Sequence, residues 1–257
     1  MSRMTPVERN RRNPRIGNEA GPDFPTFGLG GRLLYLRRDF TPKVPLVFAG
    51  LDQLERPDGV GKGNRQSGFT LKLAGGPDLF VRRARRGGLI RHALRDVYLG
   101  FHPRPLRELA LAVEAQRRGI AVAEPIGAMV EWIAPMAYRG AFITRAMAGM
   151  TLWDFIRADD DAFVRAHVLE EARRAIDRMH QLGLFHADLN LHNLFITKSR
   201  ESFVAAILDL DKATLYRTAL PAGLRRRNFD RLSRSARKLD PDGHFLDARA
   251  ITLLTAV

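Results

Sequence analysis

The stretch Gly183–Ile196, GLFHADLNLHNLFI, crowds five polar side chains between apolar flanks. They are His186, Asp188, Asn190, His192 and Asn193. A second acidic site follows in LDLD, which contains Asp209 and Asp211. Carboxylates, imidazoles and carboxamides are the groups that proteins use to transfer protons and to bind hard cations. These two segments are therefore the first candidates for a catalytic site.

The elements around both segments can be predicted from their patterns. DDDAFVRAHVLEEARRAIDRMHQLG opens with capping aspartates, carries apolar residues at helical spacing and stops at Gly183, which predicts a long helix. The polar turn TKSRES separates LFI from FVAAILDLD, which predicts a hairpin whose second strand runs into Asp209. The two polar segments are thus expected on neighbouring turns.

The N-terminal half indicates an antiparallel sheet with one helix. Short β-type runs alternate there with glycine turns: RLLYLRRDF, VPLVFAGL, GFTLKLA and LFVRRA, followed by EPIGAMVEWI and AFITRAM. The run RPLRELALAVEAQRRG predicts a helix that begins at Pro105 and ends near Gly119. We expect an α+β chain with a loose basic arm at 1–28, an N-terminal lobe at 29–148 and a mainly helical C-terminal lobe at 149–257.

Composition limits the classes of protein. With 257 residues and 45% hydrophobic content the chain can bury a sizeable core, as one domain or two lobes. The absence of cysteine excludes disulfides, thiolate metal sites and a thiol nucleophile, and it fits a reducing compartment. No apolar run is long enough to cross a bilayer. We therefore expect a cytoplasmic protein that does not span a membrane.

The charge is strongly basic and clustered. The net charge is +14, and six of the 42 basic residues are lysines, which leaves 36 arginines. Basic clusters lie at Arg3–Arg15, Arg82–Arg95 and Arg225–Lys238. Such clusters attract nucleic acid, acidic lipid surfaces or phosphorylated glycans, and they also occur as solvated faces. Because aromatic residues are not interleaved with them as base stacking requires, we do not expect nucleic acid.

Asp188, followed five positions later by Asn193 and preceded by His186, resembles the catalytic loop H-x-D-x-x-x-x-N of protein-kinase-like enzymes. LDLD is similar to the metal-binding Asp-Phe-Gly segment of that fold. More narrowly, HADLNLHN, RRARRGGLIRH and LDLDKA resemble the bacterial 3-deoxy-D-manno-octulosonic acid (Kdo) kinases and their lipopolysaccharide-kinase relatives, over roughly Gly59 to Leu239. The resemblance implies a protein-kinase-like bilobal fold, ATP as the phosphoryl donor and Mg²⁺ as the cofactor.

The resemblance also implies roles for the residues of the two polar segments. Asp188 would be the catalytic base, with His186 bracing the loop, and Asn193 and Asp209 would be the ligands of Mg²⁺. Asn190 stands at the catalytic position where protein kinases carry a lysine. The positive charge that meets the γ-phosphate must therefore come from elsewhere.

The nucleotide-binding residues implied by the resemblance lie in the N-terminal half. GVGKGNR places Gly59, Gly61 and Gly63 where backbone N–H groups can approach phosphates, although the spacing departs from G-x-G-x-x-G. Arg82 stands at the position of the basic residue that holds the α and β phosphates, and Glu108 is its candidate partner. A solvated strand arginine and an ordinary helix glutamate are the alternatives for these two.

The class of substrate is predicted from departures from the protein-kinase pattern together with the family resemblance. Asp211 replaces the glycine of the metal segment, and no A-P-E-like anchor for a protein substrate follows it. The resemblance implies phosphorylation of a Kdo hydroxyl on a lipid A precursor or on the lipopolysaccharide inner core. The enzyme is then expected to be peripheral on the cytoplasmic face of the inner membrane, with the cluster Arg225–Lys238 docking it on its anionic lipid-linked acceptor.

Four other interpretations stay open from the residues. A different small-molecule kinase or a protein kinase would share the same loop. A glycosyltransferase would use Asp209 and Asp211 as a D-x-D pair, but this leaves the Asp188 to Asn193 spacing unexplained. A metal-dependent hydrolase would combine His186, Asp188, His192 and Asp209. The last is a non-catalytic basic protein of the kinase fold.

Overall fold

The computed structural model describes residues 21–52, 68–83, 97–199 and 202–256. The chain divides into two compact units, one formed by Met1–Val113 with Glu124–Ala146 and the other by Glu114–Ala123 with Met147–Val257. Both units contain antiparallel strands and helices, so the predicted α+β class holds. No helix in these described ranges is long and apolar enough to cross a membrane.

The first unit is built on a seven-stranded sheet. Its strands are β1 (Thr26–Leu29), β2 (Arg32–Leu36), β3 (Gly68–Leu71), β4 (Leu79–Arg83), β5 (Tyr98–Leu99), β6 (Pro125–Ala134) and β7 (Ala137–Arg145). They run in the order β1-β2-β6-β7-β4-β3, β5 pairs with β7, and every pairing is antiparallel. The antiparallel sheet predicted for this half is confirmed.

One predicted strand is wrong. VPLVFAGL forms the helix α1 (Val44–Asp52), which follows a 3-10 turn at Arg38–Lys43. Its buried residues Val44, Val47, Phe48 and Leu51 repeat at i, i+3, i+4 and i+7, which is a helical period. A short continuous apolar run fits a buried strand and a buried helix equally, so the pattern alone did not decide. The unit therefore holds more helix than the single one expected.

The helix predicted to begin at Pro105 is confirmed as α2 (Arg104–Arg117), which follows β5. Glycine follows at position 119 with φ +83°, a left-handed conformation that ends helices. The core beneath the sheet joins α1 to the inward faces of several strands, including Leu34, Leu79 and Ile143, each fully buried.

The second unit is mainly helical. Its elements are β8 (Met150–Thr151), α3 (Leu152–Ala158), α4 (Ala162–Gln181), β9 (Leu184–His186), β10 (Leu194–Ser199), β11 (Ser202–Ile207), β12 (Ala213–Leu215), α5 (Ala222–Leu239) and α6 (Ala248–Thr255). The predicted hairpin is confirmed as β10 and β11, β8 pairs with β10, and β9 pairs with β12. Helix α4 packs against β11 and α6.

Helix α4 is followed directly by the first polar segment, which begins at Gly183, as the sequence predicted. Asp161 caps its first turn by accepting the N–H groups of Phe163 and Val164. After the helix, Gly183 has φ +86°, and a Cβ there would lie 2.6 Å from the carbonyl oxygens of Tyr216 and Thr218. Glycine is therefore required both by conformation and by the close approach of this backbone. The chain then enters β9, which ends at His186.

Candidate active site

His186 fastens the two polar segments to each other. Its ring is fully buried, and Nε2 lies 2.9 Å from the carbonyl oxygen of Leu208, the residue before Asp209. Because a carbonyl only accepts, Nε2 carries the proton, and Nδ1 is left to accept the N–H of Asp188 at 3.2 Å. Burial lowers the pKa of His186 and outweighs the acidic charges of Asp209 and Asp188. The imidazole is thus neutral and joins the two segments through both of its nitrogens.

Asn228 supports His186 from α5 and was missed by the sequence reasoning. Its Nδ2 donates to the carbonyl of His186 at 2.6 Å, and its Oδ1 accepts the N–H of His186 at 3.3 Å. The same oxygen lies 3.1 Å from Nε2 of His180, a second buried histidine, whose pKa is lowered by burial. One signal was available, because this asparagine sits beside Phe229 on the apolar face of a helix, where a polar residue needs a partner.

Asn190 shapes the loop that carries Asp188. Its Nδ2 donates to the carbonyl of Asp188 at 2.8 Å, and its Oδ1 accepts the N–H of His192 at 2.9 Å. Asn190 thereby caps the short 3-10 turn Leu191–Asn193. Both ends of this amide are used by the backbone of the loop. Its contribution at the position of the missing lysine is therefore to loop shape rather than to charge.

Asn193 and Asp209 are neighbours at the end of the β10–β11 hairpin. Leu194 is paired with Ile207, and the N–H of Leu208 donates to the carbonyl of Asn193 at 2.8 Å. Asn193 Nδ2 donates to the carbonyl of Asp188 at 2.8 Å, so Oδ1 is the atom of that amide that can ligate a cation. Asp209 has φ 58° and ψ 67°, the only left-handed conformation at a non-glycine residue in the described part of the chain. Such backbone strain is a recurrent feature of functional sites.

The side-chain oxygens of Asn193 and Asp209 are suitable ligands for Mg²⁺. The ion prefers hard oxygen ligands and keeps several waters and phosphate oxygens, so two protein ligands suffice. One neutral carboxamide and one carboxylate supply that pair. Within the described residues, no group of three or more His, Cys, Asp or Glu could hold a metal ion.

Two cations engage the carboxylate of Asp188. Arg231, from α5, donates to its Oδ1, and Lys212 Nζ lies 3.6 Å from its Oδ2. Burial raises the pKa of Asp188, but the hydrogen bond from Arg231 and the charges of Arg231 and Lys212 outweigh it, so the pKa lies below its ordinary value. The half-buried carboxylate is therefore ionised at neutral pH and able to accept a proton.

This contact corrects part of the docking prediction. Arg231 was grouped with the basic cluster expected to face lipid, yet it binds Asp188. Arg227 of the same cluster lies over the ring of Phe185, 5.9 Å from its centre. Both side chains are used within the protein because α5 packs beside β9, which the sequence did not show.

In the other unit, the structure brings Arg82 and Glu108 together as an ion pair. Arg82 lies on β4 next to the fully buried Val81, and Glu108 lies on α2 with 5% of its surface exposed. A carboxylate that buried requires a cationic or hydrogen-bonding partner. The pairing fits an arginine that is oriented by an acidic helix residue. Gly59, Gly61 and Gly63 lie outside the described residues.

Residues 56–252 match the lipopolysaccharide kinase (Kdo/WaaP) family. The chain belongs to this family. It is 32% identical over 190 residues to a 3-deoxy-D-manno-octulosonic acid kinase of Xylella fastidiosa (strain M12), covering 72% of each chain. It is 30% identical over 214 residues to a protein of the same name from Xanthomonas campestris pv. campestris (strain B100), covering 81% of each.

A solved structure shows the same fold. The chain superposes on WaaP, from a structure of WaaP in complex with acyl carrier protein, with a TM-score of 0.54 over 86% of each chain and 18% identity. Membership in the Kdo/WaaP family makes the chain a kinase of lipopolysaccharide biosynthesis, for which ATP is the implied phosphoryl donor. The glycosyltransferase, hydrolase and non-catalytic interpretations are thereby set aside.

Proposed function

We propose that the protein transfers the γ-phosphoryl group of ATP to a hydroxyl of a Kdo sugar on a lipid A precursor or on the lipopolysaccharide inner core. The observation that carries this is an ionised Asp188 on a loop that His186 ties to the residue before Asp209. The choice of sugar rests on relatives about 30% identical that are named 3-deoxy-D-manno-octulosonic acid kinases.

In the proposed step, Asp188 hydrogen-bonds the acceptor hydroxyl and takes its proton. A bond forms between the hydroxyl oxygen and the γ-phosphorus, the bond from that phosphorus to the β–γ bridging oxygen breaks, and ADP leaves. Asn193 and Asp209 would hold Mg²⁺, which when bound neutralises charge on the β and γ phosphates. Arg82, oriented by Glu108, would bind the α and β phosphates.

The charge around Asp188 supports an anionic acceptor. Arg231 and Lys212 surround the base with positive charge, and both are partly exposed to solvent. A Kdo-bearing lipid carries carboxylates and phosphates, and positive charge near the base attracts such an acceptor without a direct bond to either side chain. A neutral acceptor would gain nothing from this arrangement.

We further propose peripheral attachment to an acidic membrane surface, because the proposed acceptor is lipid-linked. The outer face of α5 near its C-terminal end carries the exposed cations Arg234, Arg237 and Lys238, which we call the α5 basic face. Cations of this kind bind anionic headgroups through long-range attraction and through contact. The location of the enzyme would then be the cytoplasmic face of the inner membrane.

The test of the acceptor uses two matched lipids that differ only in the presence of Kdo. Purified protein with MgATP is given each lipid, and ADP formation is followed with a coupled assay. We expect ADP to form at a rate at least about tenfold higher with the Kdo-bearing lipid, since a missing acceptor group leaves the reacting site unfilled. Equal rates with both lipids would show that the phosphorylated hydroxyl lies elsewhere.

A further inference from the structure

The carboxylate of Asp188 accepts a hydrogen bond from the guanidinium of Arg231. The loop that carries Asp188 has no lysine or arginine of its own. Asn190, at the position of the missing catalytic-loop lysine, has its amide occupied by the carbonyl of Asp188 and the N–H of His192. Arg231 reaches the same carboxylate from α5, 43 residues further along the chain. The second cation, Lys212, follows three residues after Asp209. Tertiary packing thus supplies positive charge that the local sequence lacks.

The geometry of phosphoryl transfer sets how far that charge is from the reacting atoms. The acceptor hydroxyl lies within about 3 Å of the base that takes its proton, and the phosphorus lies about 3–3.5 Å from the hydroxyl oxygen at attack. The phosphorus is therefore at most roughly 6 Å from the carboxylate oxygen of the base, and a guanidinium bonded to that carboxylate lies in the same region as the reacting atoms. Arginine carries five N–H donors, and the contact with Asp188 uses Nη2.

We propose that Arg231 is a catalytic residue that binds the oxygens of the transferring phosphoryl group, supplying the charge that Asn190 cannot. The proposal rests on the kinase function proposed above. With 44% of its side chain exposed, Arg231 has room to bond a phosphoryl oxygen while it stays near Asp188. Lys212, with 63% exposed, adds charge from the other side of the carboxylate. An arginine that meets the γ-phosphoryl group lowers the barrier because charge is spread over its equatorial oxygens in the transition state.

The affinities for ATP and ADP distinguish binding of the γ-phosphoryl group by Arg231 from two other roles. In those roles Arg231 only positions Asp188, or it binds the acceptor. ATP and ADP differ in the γ-phosphate, so an arginine that binds the γ-phosphoryl group affects the two unequally. In the presence of Mg²⁺ and without acceptor, we expect Arg231→Ala to weaken ATP binding by about tenfold and to leave ADP binding unchanged. Arg231→Lys keeps a charge without the planar fork, and its ATP affinity is expected to fall between those of the wild type and Arg231→Ala.

Turnover supplies the second readout. With a Kdo-bearing lipid, kcat of Arg231→Ala is expected to fall by about 10²–10³-fold, whereas KM for the acceptor stays within about threefold. The matched control is Arg249→Ala, which removes the same charge from an exposed position on α6, outside the basic cluster of α5, and should leave both kinetic constants unchanged.

The pH dependence of kcat is the third readout. Asp188 is faced by Arg231, Lys212 and the neutral His186, and the charge of Asp209 acts on that histidine. Loss of Arg231 raises the pKa of Asp188, so the acidic limb of the kcat profile moves to higher pH. A rise in that limb with no change in the preference for ATP over ADP would show that Arg231 only positions the base, and the proposal would be wrong.

Two further outcomes would also overturn the proposal. A rise in acceptor KM with unchanged ATP affinity would place an acceptor carboxylate on Arg231. Equal ATP affinities of Arg231→Lys, Arg231→Ala and the wild type would remove the γ-phosphoryl contact altogether. Because nucleotide binding needs no acceptor, the result stands even if the wild type phosphorylates no Kdo lipid, which would count against the proposed function alone.

Discussion

The side-chain amide of Asn228 spans the backbone of His186, donating to its carbonyl and accepting its N–H. Through this contact α5 fixes the strand that leads into the catalytic loop. The same helix also presents Arg231 to Asp188, three residues further on. Helix α5 therefore supports both the shape of the loop and the ionised state of Asp188.

The contact predicts that Asn228→Ala lowers both the stability of the protein and its turnover rate. The substitution leaves the N–H and carbonyl of His186 and the ring of His180 without their buried partner, so the free energy of unfolding should fall by about 2–4 kcal/mol. The catalytic loop loses its support, and kcat should fall by about 10²-fold in protein that remains folded. Urea denaturation and steady-state kinetics measure the two effects. The exposed variant Arg226→Ala should change stability by no more than about 0.5 kcal/mol, and equal behaviour of both variants would deny Asn228 this role.

Substitutions at Asp209 distinguish the contribution of its charge from the contribution of its left-handed backbone conformation. Asparagine tolerates the left-handed conformation, so Asp209→Asn should keep the stability of the wild type while weakening binding of Mg·ATP. Asp209→Ala should weaken Mg·ATP binding and also lose about 1 kcal/mol of stability. Calorimetric titration with ATP in the presence of Mg²⁺ or of a chelator gives the comparison. If Asp209→Asn binds Mg·ATP as tightly as the wild type does, Asp209 is not a metal ligand.

The Arg82–Glu108 pair predicts a nucleotide effect of a different kind from that of Arg231. Arg82→Ala should weaken ATP and ADP alike, by roughly 10–100-fold, because both nucleotides carry the α and β phosphates. Arg83→Ala, on the opposite face of the same strand, is the matched control and should bind both nucleotides normally. Competition with a fluorescent nucleotide measures all four affinities. Normal binding by Arg82→Ala would leave the pair a structural feature of the unit.

The α5 basic face predicts salt-sensitive membrane attachment. Changing Arg234, Arg237 and Lys238 to glutamine should weaken binding to acidic vesicles by roughly two orders of magnitude at low salt, since each charge near such a surface is worth about 1 kcal/mol. A matched triple variant at the exposed residues Arg174, Arg178 and Arg217 removes the same charge elsewhere in the unit. Vesicle sedimentation across a salt series compares them. Equal losses in both variants would mean that net charge, and not this face, holds the protein on the membrane.

Much of the second unit could be predicted because its signals are local. The capping aspartate and apolar period of α4, and the polar turn between β10 and β11, lie within the segments they describe. The order His186, Asp188, Asn193 and Asp209 indicated the catalytic chemistry for the same reason. Helix α1 was missed because a short apolar run such as VPLVFAGL does not distinguish a buried helix from a buried strand.

The supports of the site could not be predicted in the same way. Asn228 and Arg231 act 42 and 43 residues away from His186 and Asp188, through the packing of α5 beside the catalytic loop. Periodicity shows that Asn228 lies on the apolar face of α5, but it does not show which backbone that face meets. The sequence likewise shows that Arg231 belongs to a basic cluster without showing that it bonds an aspartate.

The central claim is that Asp188 is the base for phosphorylation of a Kdo hydroxyl. The most direct measurement is mass spectrometry of a Kdo-bearing lipid acceptor after incubation with MgATP and either the wild type or Asp188→Asn, with fragmentation to locate the new phosphate. The account predicts one added phosphate on the Kdo residue, and a rate at least about 10²-fold lower for Asp188→Asn at unchanged nucleotide affinity. An acceptor that gains no phosphate, a phosphate located off the Kdo residue, or near-normal turnover by Asp188→Asn would contradict it.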